Sequence, residues 1–212
     1  MAGIESPSTG VGLEIDTAFK AARASLRPMD GLSWMLVAGR SGALTGATAN
    51  SALFSFRNLS ANPVIVRRVG IGFVCTTAFT AAQELAWGLK VARAFTASDT
   101  GGTQIALTGN NCKARTSLAL PSSTDCRISS SGALTAGTKV LDTNDLGVAG
   151  AYAGAVGASV MANNNLLSPE TGAYPLVLAQ NEGFNIMNLV AMGAGGVGTI
   201  YVNVELVEAA AY

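Results

Sequence analysis

Three glycines in the segment "MGAGGVG" have the spacing of a nucleotide-binding loop. Gly193, Gly195 and Gly198 match G-x-G-x-x-G, in which glycine backbone cradles a dinucleotide pyrophosphate. That chemistry needs a strand before the glycines, a helix that opens on them and an acidic residue about 20 positions further on. The residues "TIYVNVELVE" follow instead, and they alternate apolar and polar side chains as a half-buried strand does. We therefore predict a hairpin or surface loop here, with no bound nucleotide.

Other catalytic and metal-binding patterns are weak. The chain contains no histidine, which removes Ser/His/Asp and Cys/His catalysis and leaves only oxygen or thiolate ligands for a metal. Asp142, Asn144 and Asp145 form an acidic cluster whose spacing does not fit a calcium loop, so a turn with side-chain hydrogen bonds is favoured. We predict no enzymatic activity, no cofactor and no metal site. The cysteines, interpreted as small apolar residues in a reducing compartment, are Cys75, Cys112 and Cys126.

The charge composition limits the classes of partner. Thirteen basic and thirteen acidic residues cancel, and only 12% of the chain is charged, against about 25% in an average protein. Without a basic run we expect no binding to nucleic acid or to a membrane surface. No segment is typical of a membrane-spanning helix or a secretory signal, so we expect synthesis in a cytoplasm. So little surface charge favours coverage by neighbouring subunits, and hence a homo-oligomer, either a dimer or a trimer.

From residue 51 onward, short strands alternate with turn residues. In "VIVRRVGIGFVC", the side chains of Ile65, Val69, Ile71 and Phe73 are predicted to share one face. Many such strands separated by Gly, Asn and Pro predict an all-β fold, an antiparallel β-sandwich of jelly-roll type. The run between Asp145 and Leu167 is rich in Gly, Ala and Asn. It is interpreted either as an inter-subunit loop or as a loosely ordered link.

Two adjacent arginines, Arg67 and Arg68, interrupt that apolar strand. One of them would have to point toward the face that holds Ile65 and Val69 if the strand is regular. A structural ion pair at an edge or interface is the favoured role. Binding of an anion is the alternative.

The first fifty residues lack the pattern of short strands and turns that follows them. We therefore predict an N-terminal arm over 1–50 and a sandwich domain over 51–212. "DTAFKAARASL" predicts a short helix capped by Asp16 and stopped by Pro28. This helix would offer two apolar side chains and three cations either to a partner or to the sandwich of its own chain. The residues assigned to partner binding are Phe19, Lys20, Arg23, Leu26 and Arg27.

Several segments in the same order resemble structural proteins of tailed bacteriophages and prophages. The likeness covers about residues 51–212, while the first fifty residues match less well. It implies a virion component without catalytic residues, and it does not define the place in the particle. The segments are "AFTAAQE" (78–84), "VARAFTASDTGGT" (91–103), "LTGNNCKARTS" (107–117), "RISSSGALTAGT" (127–138) and "PLVLAQNEGF" (175–184).

Three functions follow from these observations. The first is a decoration or cement protein on the capsid surface, whose partner would be the major capsid protein. The second is a head-to-tail connector or tail component. The third is a β-sandwich that binds a small ligand or carbohydrate, which would normally display an exposed aromatic cluster; aromatic residues make up only 6% of this chain.

Overall fold

The predicted all-β class is confirmed by the computed structural model. Every regular element in the described part of the chain is a strand. The strands form two large antiparallel sheets and a separate two-stranded sheet. The described residues are 14–16, 21–23, 34–107, 112–113, 124–154, 159–162, 164–168 and 175–209.

The larger sheet contains eight strands. Seven of them form a continuous series, and β10 (Val140–Leu141) pairs with β7 beside that series. In spatial order the seven are β12 (Ser159–Met161), β11 (Gly147–Ala153), β7 (Gln83–Arg93), β15 (Gly183–Asn188), β5 (Ser51–Asn58), β9 (Thr124–Ile128) and β8 (Thr103–Gln104).

The smaller sheet contains six strands and packs against the larger one. Its centre is the long pair β6 (Val64–Thr77) and β16 (Val197–Glu208). Two short strands pair beside the main series, β14 with β6 and β4 with β16. The main series is β13 (Asn165–Leu167), β6 (Val64–Thr77), β16 (Val197–Glu208) and β3 (Trp34–Arg40); the short strands are β4 (Leu44–Thr45) and β14 (Leu176–Leu178).

The order of the strands is that of a jelly roll. Eight strands, taken along the chain as β3, β5, β6, β7, β11, β13, β15 and β16, are divided between the two sheets. Numbered one to eight, they have the spatial orders 1-8-3-6 in the smaller sheet and 2-7-4-5 in the larger. This winding pairs the first and last strands at one end of the smaller sheet, and the arrangement of all eight strands is the double Greek key. The predicted topology is therefore present.

The core lies between the two sheets and is rich in aromatic residues. The rings of Phe73 on β6 and Trp87 on β7 meet across the sandwich, with centroids 5.4 Å apart. Within the larger sheet, Phe184 stacks between Phe54 and Phe56, at 5.8 and 5.6 Å. Because rings of this size bury large apolar areas, these contacts supply much of the force that joins the sheets.

A β-bulge in β6 changes which side chains of this strand face the core, so the predicted face is right for only part of the strand. Glu205 on β16 pairs with Arg68, but the next residue of β16 pairs with Val66, so Arg67 is an extra residue. One extra residue inverts the alternation of a strand. Val69 is buried as predicted, whereas Ile65 is only half-buried and Val66 is buried in its place. The bulge also lets both arginines avoid the core: Arg68 is exposed and Arg67 pairs with Glu205 at 3.3 Å. The predicted ion pair is thus present, but it joins the two inner strands β6 and β16 rather than lying at a sheet edge.

The N-terminal segment differs from the prediction in two ways. β3 pairs along its length with β16, so residues from Trp34 onward belong to the sandwich rather than to an arm that ends at residue 50. Within the predicted helix, β2 (Ala21–Arg23) pairs antiparallel with β1 (Glu14–Asp16). The helix is therefore wrong at these residues, because pairing with a second segment replaces the local preference.

The segment that contains Gly193 is a loop, but not a hairpin. β15 before it and β16 after it lie in different sheets, so the loop crosses from one sheet to the other. Gly195 has φ of +78°, a left-handed turn conformation that glycine adopts freely. The amide of Gly193 donates a hydrogen bond to Gln83 Oε1 at 2.9 Å. A 12-residue strand follows instead of the helix that a nucleotide site requires.

A covering layer protects the outer face of the larger sheet. It comprises residues 94–102 and 129–139, which lie outside the strands of that sheet, and it explains why all six residues of β15 are buried although alternate side chains point away from the core. Leu134 of this layer packs against Ala52 and Met187. Thr100 and Thr135 exchange backbone hydrogen bonds, each 2.9 Å long, which tie the two parts of the layer together.

Candidate partner-binding surfaces

Four large apolar side chains are exposed at one end of the larger sheet. Leu146, Val148 and Tyr152 lie along β11 and the residue before it, and Val160 lies on β12, with exposed fractions from 50 to 66%. We call these four residues the apolar edge face. Alternation along β11 produces it, because Ala149, Ala151 and Ala153 point into the core while the larger residues point outward.

The strand register makes the apolar edge face continuous. Tyr152 is directly opposite Val160 on β12, so their side chains lie next to each other. Charged groups lie at both ends of this region. Glu84 is opposite Tyr152 on β7 and is exposed, and the Lys90–Asp145 ion pair, at 3.7 Å, lies toward the other end. An apolar centre with a charged rim is the usual anatomy of a protein–protein interface.

A second candidate surface is a groove on the outer face of the smaller sheet. Its volume is about 580 Å³, which is within the range of small-ligand sites. Gly70 and Gly72 of β6 form part of its floor, and Leu36, Val74 and Tyr201 are among its walls. Leu36 and Val74 are exposed.

The glycines of this groove are not required by contacts within the chain. A Cβ atom added to Gly70 would come 3.5 Å from the carbonyl oxygen of Asn164, and one added to Gly72 would come 3.6 Å from Cβ of Tyr201. Both distances are ordinary van der Waals contacts. Glycine is therefore not needed at either position to avoid a steric clash. The absence of side chains at these two positions keeps the groove deep. The ring of Tyr201 is held beside Arg40, whose Nε lies 3.4 Å from its hydroxyl.

Of the five residues assigned to partner binding from the sequence, the structure describes one. Phe19, Lys20, Leu26 and Arg27 lie outside the described residues. Arg23 is the last residue of β2. Their role in binding stays a prediction.

The acidic cluster does not form a metal site in the described part of the chain. Asp142 pairs with Arg93 at 3.6 Å and Asp145 pairs with Lys90, so each carboxylate faces a cation. No group of three His, Cys, Asp or Glu side chains suited to a metal occurs among the described residues. All three cysteines are free, and burial raises the pKa of the Cys126 thiol well above its usual value.

The sequence pattern does not predict the apolar edge face. Its residues fall in the Gly- and Ala-rich run between Asp145 and Leu167, for which the sequence predicts an inter-subunit loop or a loosely ordered link. In the structure this run contains β11, β12 and β13. A signal was present, since Leu146, Val148 and Tyr152 occupy even positions and Ala149, Ala151 and Ala153 occupy odd positions. The alternation is weak in the sequence because the residues on the buried face of β11 are small.

The fold and these surfaces define a class of protein, an antiparallel jelly-roll β-sandwich with exposed apolar surface at one sheet edge. No protein-family model, curated protein or solved structure matches this chain. Within the described residues, no helix has the length and apolar character needed to cross a membrane.

Proposed function

We propose that this protein is a non-enzymatic structural component of a tailed-phage virion, a cement or decoration protein that binds the shell of major capsid protein and stabilises it. The observation that carries the proposal is the apolar edge face. Contiguous apolar patches on the surface of soluble proteins are typical of sites where another protein binds. The resemblance of residues 51–212 to phage structural proteins supports the same role. The proposal includes no cofactor, nucleic acid or membrane.

The shape and charge of the apolar edge face favour a protein partner. The face lies on the surface of two neighbouring strands, and its four side chains are large, apolar and at least half exposed. A flat surface of this kind suits a subunit of a shell or a second copy of the chain better than it suits a small molecule, which needs concave walls. The low content of charged residues, 12%, is consistent with a surface partly covered by subunits.

Aspartate at positions 148 and 160 is expected to prevent binding to the shell. The double substitution Val148→Asp and Val160→Asp alters two exposed side chains, so the fold should persist. Unpaired carboxylates buried against a partner should weaken binding by at least about tenfold. The measurement is co-sedimentation with shells assembled from the major capsid protein of the genome that encodes this chain.

Leu36→Asp is the matched control for this experiment, because Leu36 is 58% exposed but lies on the smaller sheet. It should bind shells like the wild type. Wild-type protein that does not bind any shell would contradict the capsid role and favour a connector or tail component. If Leu36→Asp loses shell binding and the double substitution does not, the shell binds at the groove and not at the apolar edge face.

The groove supports a second candidate function, binding of a small ligand. Its volume and its glycine floor are the observations in favour. A ligand in this groove would contact Tyr201 and Asn203, which offer an aromatic ring and an amide. Titration of sugar and nucleoside libraries, followed by tyrosine and tryptophan fluorescence, tests this function; Leu36→Asp should then abolish any response and the double substitution should leave it intact.

Deletion of residues 1–30 is expected to weaken shell binding while the sandwich stays folded. The deletion ends before Trp34, where the first strand of the sandwich begins, so it removes none of the jelly-roll strands. Circular dichroism and a thermal melt of the truncated chain test the fold, and the same co-sedimentation tests the binding. A melting temperature several degrees lower with unchanged shell binding would show that the segment packs on its own sandwich.

A further inference from the structure

Beneath the covering layer, three functional groups from distant parts of the chain share one buried site. Asp99 is fully buried, and the side chain of Lys139 is only 5% exposed. Asn185, also fully buried, lies on β15, where Ser55 and Lys90 are its partners on the two neighbouring strands. We call Asp99, Lys139 and Asn185 the buried triad.

The carboxylate of Asp99 joins the other two side chains. Its Oδ1 accepts hydrogen bonds from Lys139 Nζ and from the amide of Gly137, the latter at 2.7 Å. Its Oδ2 accepts a hydrogen bond from Asn185 Nδ2, also at 2.7 Å. The amine and the carboxamide are therefore held on the two oxygens of one carboxylate. The site is apolar on one side, because Lys139 Nζ lies 4.8 Å from the centroid of the Phe95 ring.

Two details distinguish the buried triad from an ordinary ion pair. Asn185 Oδ1 is buried without a hydrogen-bond partner among the described residues, although most buried polar atoms in proteins have one. The pKa of Asp99 is also informative. Burial alone would raise it, but the hydrogen bonds from Gly137, Lys139, Asn185 and Ser55 together lower it below its usual value. Asp99 is thus an ionised base placed between an amine and an amide.

We propose that Lys139 and Asn185 form an intramolecular isopeptide bond, with Asp99 as the acid–base group. The arrangement supplies what the reaction needs: a nucleophilic amine, a neutral electrophilic carbon and a proton carrier that contacts both. The reaction needs no external enzyme, because the three side chains are held in place within a buried site. The inference does not depend on the proposed function.

The reaction balances without an added reagent. The Lys139 ammonium transfers one proton to Asp99, and the free amine attacks Cγ of Asn185. Asp99 passes its proton to Nδ2, the Cγ–Nδ2 bond breaks, and the leaving ammonia takes one of the two protons left on Nζ, so that the other stays on the new amide nitrogen. The products are a secondary amide between the two side chains, an ammonium ion and the original Asp99 carboxylate. No atom changes its oxidation state.

Asn185 is the electrophile rather than Asp99. The hydrogen bonds to Asp99 hold it in the ionised form, and a carboxylate carbon resists attack by an amine. The carboxamide carries no charge. The resulting bond would attach the covering layer to the centre of the larger sheet through β15, since Lys139 directly precedes β10.

Mass spectrometry of the denatured full-length protein tests the bond. The expected mass is below the sequence mass by one ammonia, and a proteolytic digest should contain a linked pair of peptides that carry Lys139 and Asn185. A mass equal to that of the sequence would overturn the proposal. Loss of one water with a link between Lys139 and Asp99 would overturn the choice of electrophile. Loss of ammonia confined to a single unlinked peptide, as from cyclisation of another asparagine, would also contradict it.

Variants separate the bond from a simple ion pair. Lys139→Arg keeps the cation but cannot form the bond, so its mass should equal the sequence mass. Lys113→Arg, the same change at a lysine whose backbone pairs with Met35 of the smaller sheet, should retain the loss of ammonia. Asp99→Ala should slow bond formation by about 100-fold or more, the usual contribution of general acid–base catalysis. If Asp99→Ala does not fold, the masses of the wild type and of Lys139→Arg still test whether the bond forms. A peptide link that persists in Lys139→Arg would refute the proposed bond.

Discussion

Replacing Phe184 with alanine is expected to lower the free energy of unfolding by about 3–5 kcal/mol, the usual cost of removing a buried phenylalanine ring. Phe184 is fully buried at the centre of the larger sheet and stacks on Phe54 and Phe56. The rigid strands on both sides cannot collapse into the space, so a cavity should remain. In a chain of this size the melting temperature should fall by roughly 6–20 °C.

The control for this prediction is Tyr152→Ala, which removes an aromatic ring that is 57% exposed. Its stability should stay within about 0.5 kcal/mol of the wild type, as for most surface substitutions. Urea unfolding followed by tryptophan fluorescence measures both variants. A change smaller than about 1 kcal/mol for Phe184→Ala would show that the stacked rings do not form the core described above.

The second large effect concerns the charge of the buried triad. Asp99→Leu leaves the Lys139 ammonium buried without its counter-ion, and loss of one partner of a buried pair typically costs about 3–5 kcal/mol. The double substitution Asp99→Leu and Lys139→Met removes both charges. It should be more stable than Asp99→Leu by most of that amount, because a site filled with apolar groups of similar volume contains no uncompensated charge.

The comparison of these two variants isolates the buried charge. Neither can form the proposed isopeptide bond efficiently, since both lack the base and the double variant also lacks the amine, so the bond does not contribute to their difference. Urea unfolding of the wild type and both variants provides the measurement. If the double variant is no more stable than Asp99→Leu, the buried charge is not the cause of the loss.

The sequence by itself determined the strands and the class of fold. Alternation with a period of two locates β6 and β16 within a few residues, because one face of each meets the core and the other is more exposed. Glycine at position 195 correctly predicted a loop, since φ of +78° is accessible to glycine without strain. These features depend on neighbours in the chain, and neighbours are what a sequence shows directly.

Only the tertiary structure decided the features that depend on distant residues. The bulge at Arg67 arises from the register with β16, and it reverses the face of Ile65 although the sequence pattern is regular. Pairing of β1 with β2 replaced a locally plausible helix at residues 21–23. Asp99 is 40 residues from Lys139 and 86 from Asn185, so no local spacing could bring the buried triad together. The apolar edge face likewise depends on the place of β11 beside β12, the last strand of the sheet, where its outer side chains stay exposed. Exposure is set by what packs against a residue and not by the residue's own type.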